Sequence, residues 1–270
     1  MGDTVGLPIV IYEDRSLLAV RKPPRMHTAP GPGGGDLCAW VFERYPDVES
    51  AGGGAEGSSA GGRRAPREGG LLHRLDYETS GIVLFARDTR SFDALLRQQE
   101  LGAFRKDYQA VSTASRAGMP AGSRPRMAVP GGLDAKAWTR ARDRLDPRAL
   151  AAMLEGARSE AGLGVASSFR AYGPGGSRVA CIGAGGIGPI YRSDILACFE
   201  GESARSLEIR VGLSRGFRHQ VRAHLAWIGL PISGDPLYGG APDERLRLYA
   251  VGLSFEHPET GKSLSLIADP

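Results

Sequence analysis

His73-Arg74-Leu75-Asp76-Tyr77-Glu78-Thr79-Ser80-Gly81, running directly into Ile82-Val83-Leu84-Phe85-Ala86, is the stretch from which the rest of the chain can be read. A short apolar lead at Leu71 and Leu72 precedes a polar cluster, then a turn through Thr79, Ser80 and Gly81, then an unbroken apolar run. That run predicts a buried strand. The polar cluster sets one carboxylate, Asp76, beside two potential cations, His73 and Arg74, in the turn that leads into it. Such an aspartate serves either as a structural ion pair or turn cap, or as a reactive carboxylate kept ionised by guanidinium groups. These residues alone leave both open.

Downstream, Phe92, Leu95, Leu96 and Leu101 recur near helical spacing and Gly102 ends them, which predicts a helix beginning between residues 88 and 91. Residues 106–111 follow as a strand. Upstream, Ile9-Val10-Ile11-Tyr12 and Leu17-Leu18-Ala19-Val20 read as two strands joined by the charged turn Glu13-Asp14-Arg15-Ser16, the second stopped at Lys22-Pro23-Pro24. Residues 50–70 collapse to Gly, Ala, Ser, Arg and Glu, a flexible glycine-rich loop that carries Arg63, Arg64 and Arg67. Residues 115–165 read as a helical insertion: a Gly- and Pro-rich stretch to Gly132, then two helices, the second capped by Asp146 with Pro147 in its first position.

Further on, residues 207–211 alternate as a half-buried strand, and a helix after Gly216 carries Val221, Leu225 and Ile228 on one face until Gly229 and Pro231 end it. Arg218, His219 and Arg222 are read as projecting from one side of that helix. Phe169-Arg170-Ala171-Tyr172-Gly173-Pro174-Gly175 is read as an aromatic, basic turn, an ordinary loop or an RNA contact. The chain closes with the turn cluster Gly234-Asp235-Pro236-Leu237-Tyr238-Gly239-Gly240 and strand-like runs at residues 246–255 and 263–267. Strands outnumber helices and come in runs rather than alternating with them. The expected class is therefore α+β, with a mixed, mainly antiparallel central sheet and flanking helices, in one domain over residues 1–270.

With 270 residues and 41% hydrophobic content, the chain is long enough to bury a full core. Its apolar runs are too short to span a bilayer, and Met1-Gly2-Asp3 opens no basic-then-apolar leader, so neither a membrane nor secretion is expected. Cys38, Cys181 and Cys198 are well separated and form no CxxC pair, which leaves a reducing cytoplasm as the expected location. Lys and Arg number 34 against 30 Asp and Glu, and only Lys22, Lys106, Lys136 and Lys262 are lysines. Arginine suits bidentate phosphate contacts and ring stacking, so nucleic acid is a reasonable partner, although the same richness in Gly, Ala and Arg also reads as coding bias. His219 and His224 are separated by about 140° around a helix axis and do not converge on a metal. No metal and no cofactor is expected.

Residues 73–81 resemble the HRLDxxTSG signature of the RluA-like pseudouridine synthases and match it at each defined position. Three further blocks follow the family's order: Glu13-Asp14 through Lys22-Pro23; Lys106-Asp107-Tyr108-Gln109-Ala110-Val111, similar to KxYxAxV; and His219-Gln220-Val221-Arg222-Ala223-His224-Leu225, similar to HQIRxHL. The last continues through Gly229-Leu230-Pro231-Ile232 to Gly234-Asp235 and Tyr238-Gly239. The resemblance spans residues 9–268 apart from the glycine loop and the insertion.

It implies the pseudouridine synthase fold with a catalytic cleft and a cofactor-free isomerisation of uridine in ribosomal or transfer RNA, by a monomer. Asp76 would attack or deprotonate the ribose, Tyr108 would pack on the uracil, and Arg222 would pair with Asp76. His73, Arg74, Arg63, Arg64, Arg67, Lys106, Arg218 and His219 would contact RNA, though Arg74 reads equally as a local ion pair. No N-terminal S4-like domain is expected. Where most members carry TGRTHQIR, this chain has Arg215-Gly216-Phe217-Arg218-His219-Gln220-Val221-Arg222, so RNA contacts there are expected to be rearranged. The competing reading is an RNA-binding protein on the same fold that has lost the reaction.

Overall fold

The computed structural model describes residues 6–30, 35–52, 68–113, 133–144, 146–156, 163–183, 188–203 and 205–270. Most of the glycine-rich loop, with Arg63, Arg64 and Arg67, and the Gly- and Pro-rich start of the insertion lie outside them. In chain order the elements are β1 (Ile9–Glu13), β2 (Leu17–Lys22), α1 (Leu37–Arg44), α2 (Pro46–Ala51), β3 (Ser80–Ala86), α3 (Thr89–Glu100), β4 (Arg105–Thr113), α4 (Ala135–Asp143) and α5 (Pro147–Gly156). Then follow β5 (Leu163–Tyr172), β6 (Arg178–Ile182), β7 (Tyr191–Glu200), β8 (Ser206–Leu213), α6 (Gln220–Trp227), β9 (Leu248–Glu256) and β10 (Ser263–Ile267).

They form two compact units, one of Met1–Lys106 with Ala250–Pro270, the other of Asp107–Tyr249. In the first, β1 pairs antiparallel with β2, β2 with β3, and β10 with β9, while β9 lies hydrogen-bonded beside β3. The turn between β1 and β2 forms because Asp14 Oδ1 accepts from the Ser16 and Leu17 amides, each at 2.8 Å. Asp14 Oδ2 is 2.8 Å from His257 Nε2, which ties this hairpin to the one that closes the chain. Apolar side chains of β2, β3 and β9, among them Leu17, Ile82, Leu84 and Phe255, meet Phe92 and Leu95 of α3 in one buried cluster. The Asp88 side chain caps α3 by accepting from the Ser91 amide, as the reading of residues 88–91 expects.

The second unit orders its strands β4-β8-β7-β5-β6, with β7/β8, β5/β7 and β5/β6 antiparallel. The two helices expected in the insertion are α4 and α5; Asp146 Oδ1 accepts from the Ala149 amide at the start of α5. Trp138 of α4 is fully buried and its indole N–H donates to the Ile228 carbonyl beyond α6. The insertion is thus anchored on the helix of the HQ-R block. Its last three residues, 163–165, already belong to β5.

Two expectations are corrected. Residues 169–172 are not a loop but the end of β5, where Phe169 pairs with Cys181 and Tyr172 with Arg178; the chain turns only at Gly173, whose φ of 79° a glycine adopts without strain. Arg218 and His219 do not ride on the helix with Arg222. His219 has φ 57° and breaks the helical path, so α6 begins at Gln220.

Candidate active site

The turn that bears Asp76 is fastened from three sides, all within the first unit. The buried Thr28 hydroxyl donates to the Leu75 carbonyl at 2.8 Å and accepts from the Leu75 amide at 3.1 Å, gripping the backbone one residue ahead of the carboxylate. The Thr79 amide donates to the Asp76 carbonyl at 3.1 Å and closes the turn. Behind it, the Leu72 amide reaches the Leu84 carbonyl at 3.0 Å, and His73 Nε2 accepts from the Leu84 amide at 3.3 Å. The motif is therefore stitched to β3. Asp76 itself is half-buried.

The third fastening comes from Lys22 at the end of β2, a side chain with 0% exposure. Its ammonium donates to the carbonyls of Pro23 at 2.9 Å, Met26 at 2.8 Å and Tyr77 at 3.3 Å. Burial pushes its pKa down from 10.5 to about 7, and the charges of Asp76 and Glu78 pull it back up. In sequence Lys22 reads as the end of a strand and of the first family block. Nothing in its local sequence says that its stem turns inward to the Asp76 turn; that follows from the pairing of Lys22 with Gly81 across β2 and β3.

Three of the residues expected to contact RNA, Arg74, His73 and Lys106, are engaged or buried within the first unit. Arg74 is exposed and its guanidinium donates to the buried Glu68, so the ion-pair reading describes it. His73 and Lys106, expected to touch RNA, are instead buried at 9% and 7% exposure. Burial holds His73 well below its ordinary pKa, with the Lys106 charge adding to the effect, and lowers Lys106 from 10.5 to about 8. A cation so costly to desolvate is better suited to supporting the strand than to meeting phosphate at the surface.

In the second unit, Tyr108 lies on the inward face of β4, where the alternation also buries Ala110 and Ser112. Arg222 is not the surface residue that its position on a helix permits: it is buried at 5% exposure. Its Nε donates to Asp235 Oδ2 at 2.8 Å and its Nη2 to Asp235 Oδ1 at 2.9 Å, a bidentate fork over a carboxylate that is itself fully buried. Asp235 Oδ1 also accepts from the Leu237 and Tyr238 amides, at 3.0 and 3.3 Å. The Arg222 guanidinium carbon stands 5.3 Å from the centre of the Tyr238 ring. Tyr238 in turn accepts from the Val179 amide at 2.9 Å and lies 3.0 Å from His219 Nδ1. The turn at Gly234-Asp235, read in sequence as a turn cluster without a task, thus aims Arg222.

Residues 16–227 match the family model described as RNA pseudouridylate synthase. The chain belongs to that family. An uncharacterized RNA pseudouridine synthase of Chloroflexus aurantiacus is 29% identical over 247 residues, covering 89% of this chain and 59% of the relative. The chloroplastic RNA pseudouridine synthase 2 of Arabidopsis thaliana is 25% identical, covering 97% and 62%, and the ribosomal large subunit pseudouridine synthase D of Vibrio parahaemolyticus 23% identical, covering 96% and 66%. The chain thus spans about three fifths of the length of these relatives. Among solved structures, human RNA Pseudouridylate Synthase Domain Containing 1 superposes with a TM-score of 0.55 at 18% identity, covering the whole of this chain and 86% of that one. The fold of this family member is therefore that of the pseudouridine synthases, as the resemblance implies.

Proposed function

We propose that this pseudouridylate synthase family member isomerises uridines of ribosomal or transfer RNA to pseudouridine, with Asp76 as the reacting carboxylate. The observation that carries the proposal is the Asp76 turn: a half-buried carboxylate on a backbone gripped by Thr28, Thr79 and Lys22, inside a motif that matches the family signature. The reaction breaks the bond from N1 of uracil to C1′ of ribose and forms one from C5 to C1′. The C5 proton leaves and N1 gains one, so the change is internal to the nucleotide.

A carboxylate on a rigid turn is suited to attack or deprotonate the sugar because it loses little freedom on reaching the reactive geometry. Arg222, oriented by Asp235, is the proposed cation for Asp76, and Tyr108 the ring that packs on the uracil. Pseudouridine formation on total RNA, read by mass spectrometry of nucleosides, tests the assignment. Wild-type protein forms pseudouridine, and Asp76→Asn binds RNA but forms none; normal turnover by Asp76→Asn would remove Asp76 from the chemistry.

A further inference from the structure

Phe217 stands 37% exposed in a segment, residues 214–219, that contains two arginines and no acidic residue. Its ring lies parallel to that of Phe169 at 4.9 Å, with an interplanar angle of 3°, and 5.0 Å from Tyr191, whose ring is tilted by 48°. Phe169 and Tyr191 are themselves 5.7 Å apart, and Phe169 rests on His224 at 5.0 Å. Three aromatic rings thus build a tier from the buried helix α6 outward, with Phe217 as its exposed step.

The step is rigid. The Phe217 amide donates to Gln220 Oε1 at 2.9 Å and the Gln220 amide donates back to the Phe217 carbonyl at 3.1 Å. Gln220 Nε2 then donates to the Arg192 carbonyl and the Ser193 hydroxyl of β7, at 2.9 and 3.1 Å. Next along the chain, the Arg218 guanidinium is held by the Gly176 and Arg178 carbonyls, which pins the segment to the edge strand β6. Exposed Arg215 and Arg218 flank Phe217, while exposed Arg170 and Arg192 neighbour Phe169 and Tyr191; Arg192 also pairs with Asp194 at 2.6 Å.

We propose that Phe217, backed by Phe169 and Tyr191, is a stacking platform for an unpaired base of single-stranded RNA. A flat, pre-ordered ring in an arginine-rich surround fits a base together with the phosphates on either side of it, since every base has a π-face and every link a negative charge. Charge complementarity favours RNA over a second copy of this chain, which would bring arginine against arginine. The inference rests on the RNA-modifying reading of the family but concerns recognition of the RNA rather than the reaction itself.

The test uses the full chain and a single-stranded oligoribonucleotide containing one 2-aminopurine, whose fluorescence falls when it stacks. Phe217→Ala and Phe217→Leu should each weaken binding about tenfold and relieve the quenching, whereas Phe217→Trp should restore both. Leucine keeps apolar bulk without a ring, so its failure separates stacking from packing. The salt dependence of Phe217→Ala should match that of wild type, because no charge is removed. Wild-type affinity and quenching in the leucine variant would overturn the platform. So would unchanged RNA affinity accompanied by a change in sedimentation, which would assign the patch to self-association. If wild type binds and quenches but forms no pseudouridine on total RNA, the proposed activity fails and the platform stands. If wild type forms pseudouridine and the variants bind normally, the platform alone fails.

Discussion

Replacing Asp235 by alanine should be among the most damaging single changes in the second unit. The side chain is fully buried and supplies both acceptors for the Arg222 fork, at 2.8 and 2.9 Å, as well as the acceptor for the Leu237 and Tyr238 amides. Removing one partner of such a buried pair costs about 3–5 kcal/mol, because the remaining charge must stay desolvated without the interaction that offset its burial. The Tyr238 ring beneath the guanidinium returns only about 1–2 kcal/mol through its π-face and is already present in wild type. At about 2–4 °C per kcal/mol for a protein of roughly this size, the thermal midpoint should fall by about 6–20 °C. Differential scanning calorimetry reads the midpoint, and urea titration reads the free energy.

The double variant Arg222→Met/Asp235→Leu separates the ion pair from the general loss of packing. Apolar groups of similar volume remove both charges together, so most of the stability should return, less the two amides left without their acceptor. A loss below about 1 kcal/mol in Asp235→Ala, or a double variant no more stable than the single, would refute this account of what holds Arg222. Asp235→Asn keeps one oxygen and should lie between. Under the proposed reaction it should also lower kcat more than it raises KM, since it disturbs the aim of Arg222 rather than a contact with the substrate.

Lys22 links the site to pH: its folded pKa of about 7 lies below the ordinary 10.5, so between these values the unfolded chain holds the extra proton and stability should rise with pH. Urea midpoints from pH 7 to 9.5 should climb less steeply in Lys22→Met than in wild type, and parallel curves would contradict the burial of its charge. Thr28→Val keeps the shape but leaves the Leu75 amide and carbonyl without their hydroxyl partner, so stability should fall by about 2 kcal/mol and activity with it; an unchanged denaturation curve would show that the Leu75 grip is dispensable. Gly81→Ala places a carbon 2.2 Å from the Ala250 carbonyl oxygen at φ 124°, so β3 must shift against β9 and the protein should be recovered poorly folded; normal yield and midpoint would contradict that close approach.

The parts of the fold that sequence made legible are those where local pattern and tertiary environment agree. β3 is apolar along its length and is buried on both faces, and α3 has its cap, its stripe and its stop in consecutive residues. The strands β5, β6 and β7 were harder to see. Leu163-Gly164-Val165-Ala166-Ser167-Ser168 spreads two serines and a glycine over a strand interior, and its buried Ser167 finds a partner in His224, 2.9 Å away on a helix 57 positions downstream. The short helices α1 and α2 likewise follow from tertiary placement: the Asp36 side chain caps the first, but its apolar residues lack a clear stripe beyond Leu37, Cys38 and Val41.

The site divides in the same way, and the division concerns charge. A carboxylate is easy to find in sequence when its neighbours form a specific motif, but which cation acts on it is a tertiary question. Arg74, two residues before Asp76, is engaged by Glu68, while the charge of Asp76 is felt by Lys22, on another strand and without any arginine signature. Arg222 and Asp235 show the same from the other side: a helical arginine reads as surface until a glycine turn delivers a buried carboxylate to both arms of its fork. Guanidinium and ammonium groups are costly to bury unless each donor meets an oxygen, and the oxygens that meet them here are mostly backbone carbonyls or distant carboxylates that no local pattern announces. Spacing within a motif therefore locates the candidate carboxylate. It says little about which of the many arginines stay exposed, because the carboxylates that engage them, Glu68 for Arg74 and Asp235 for Arg222, lie outside the motif.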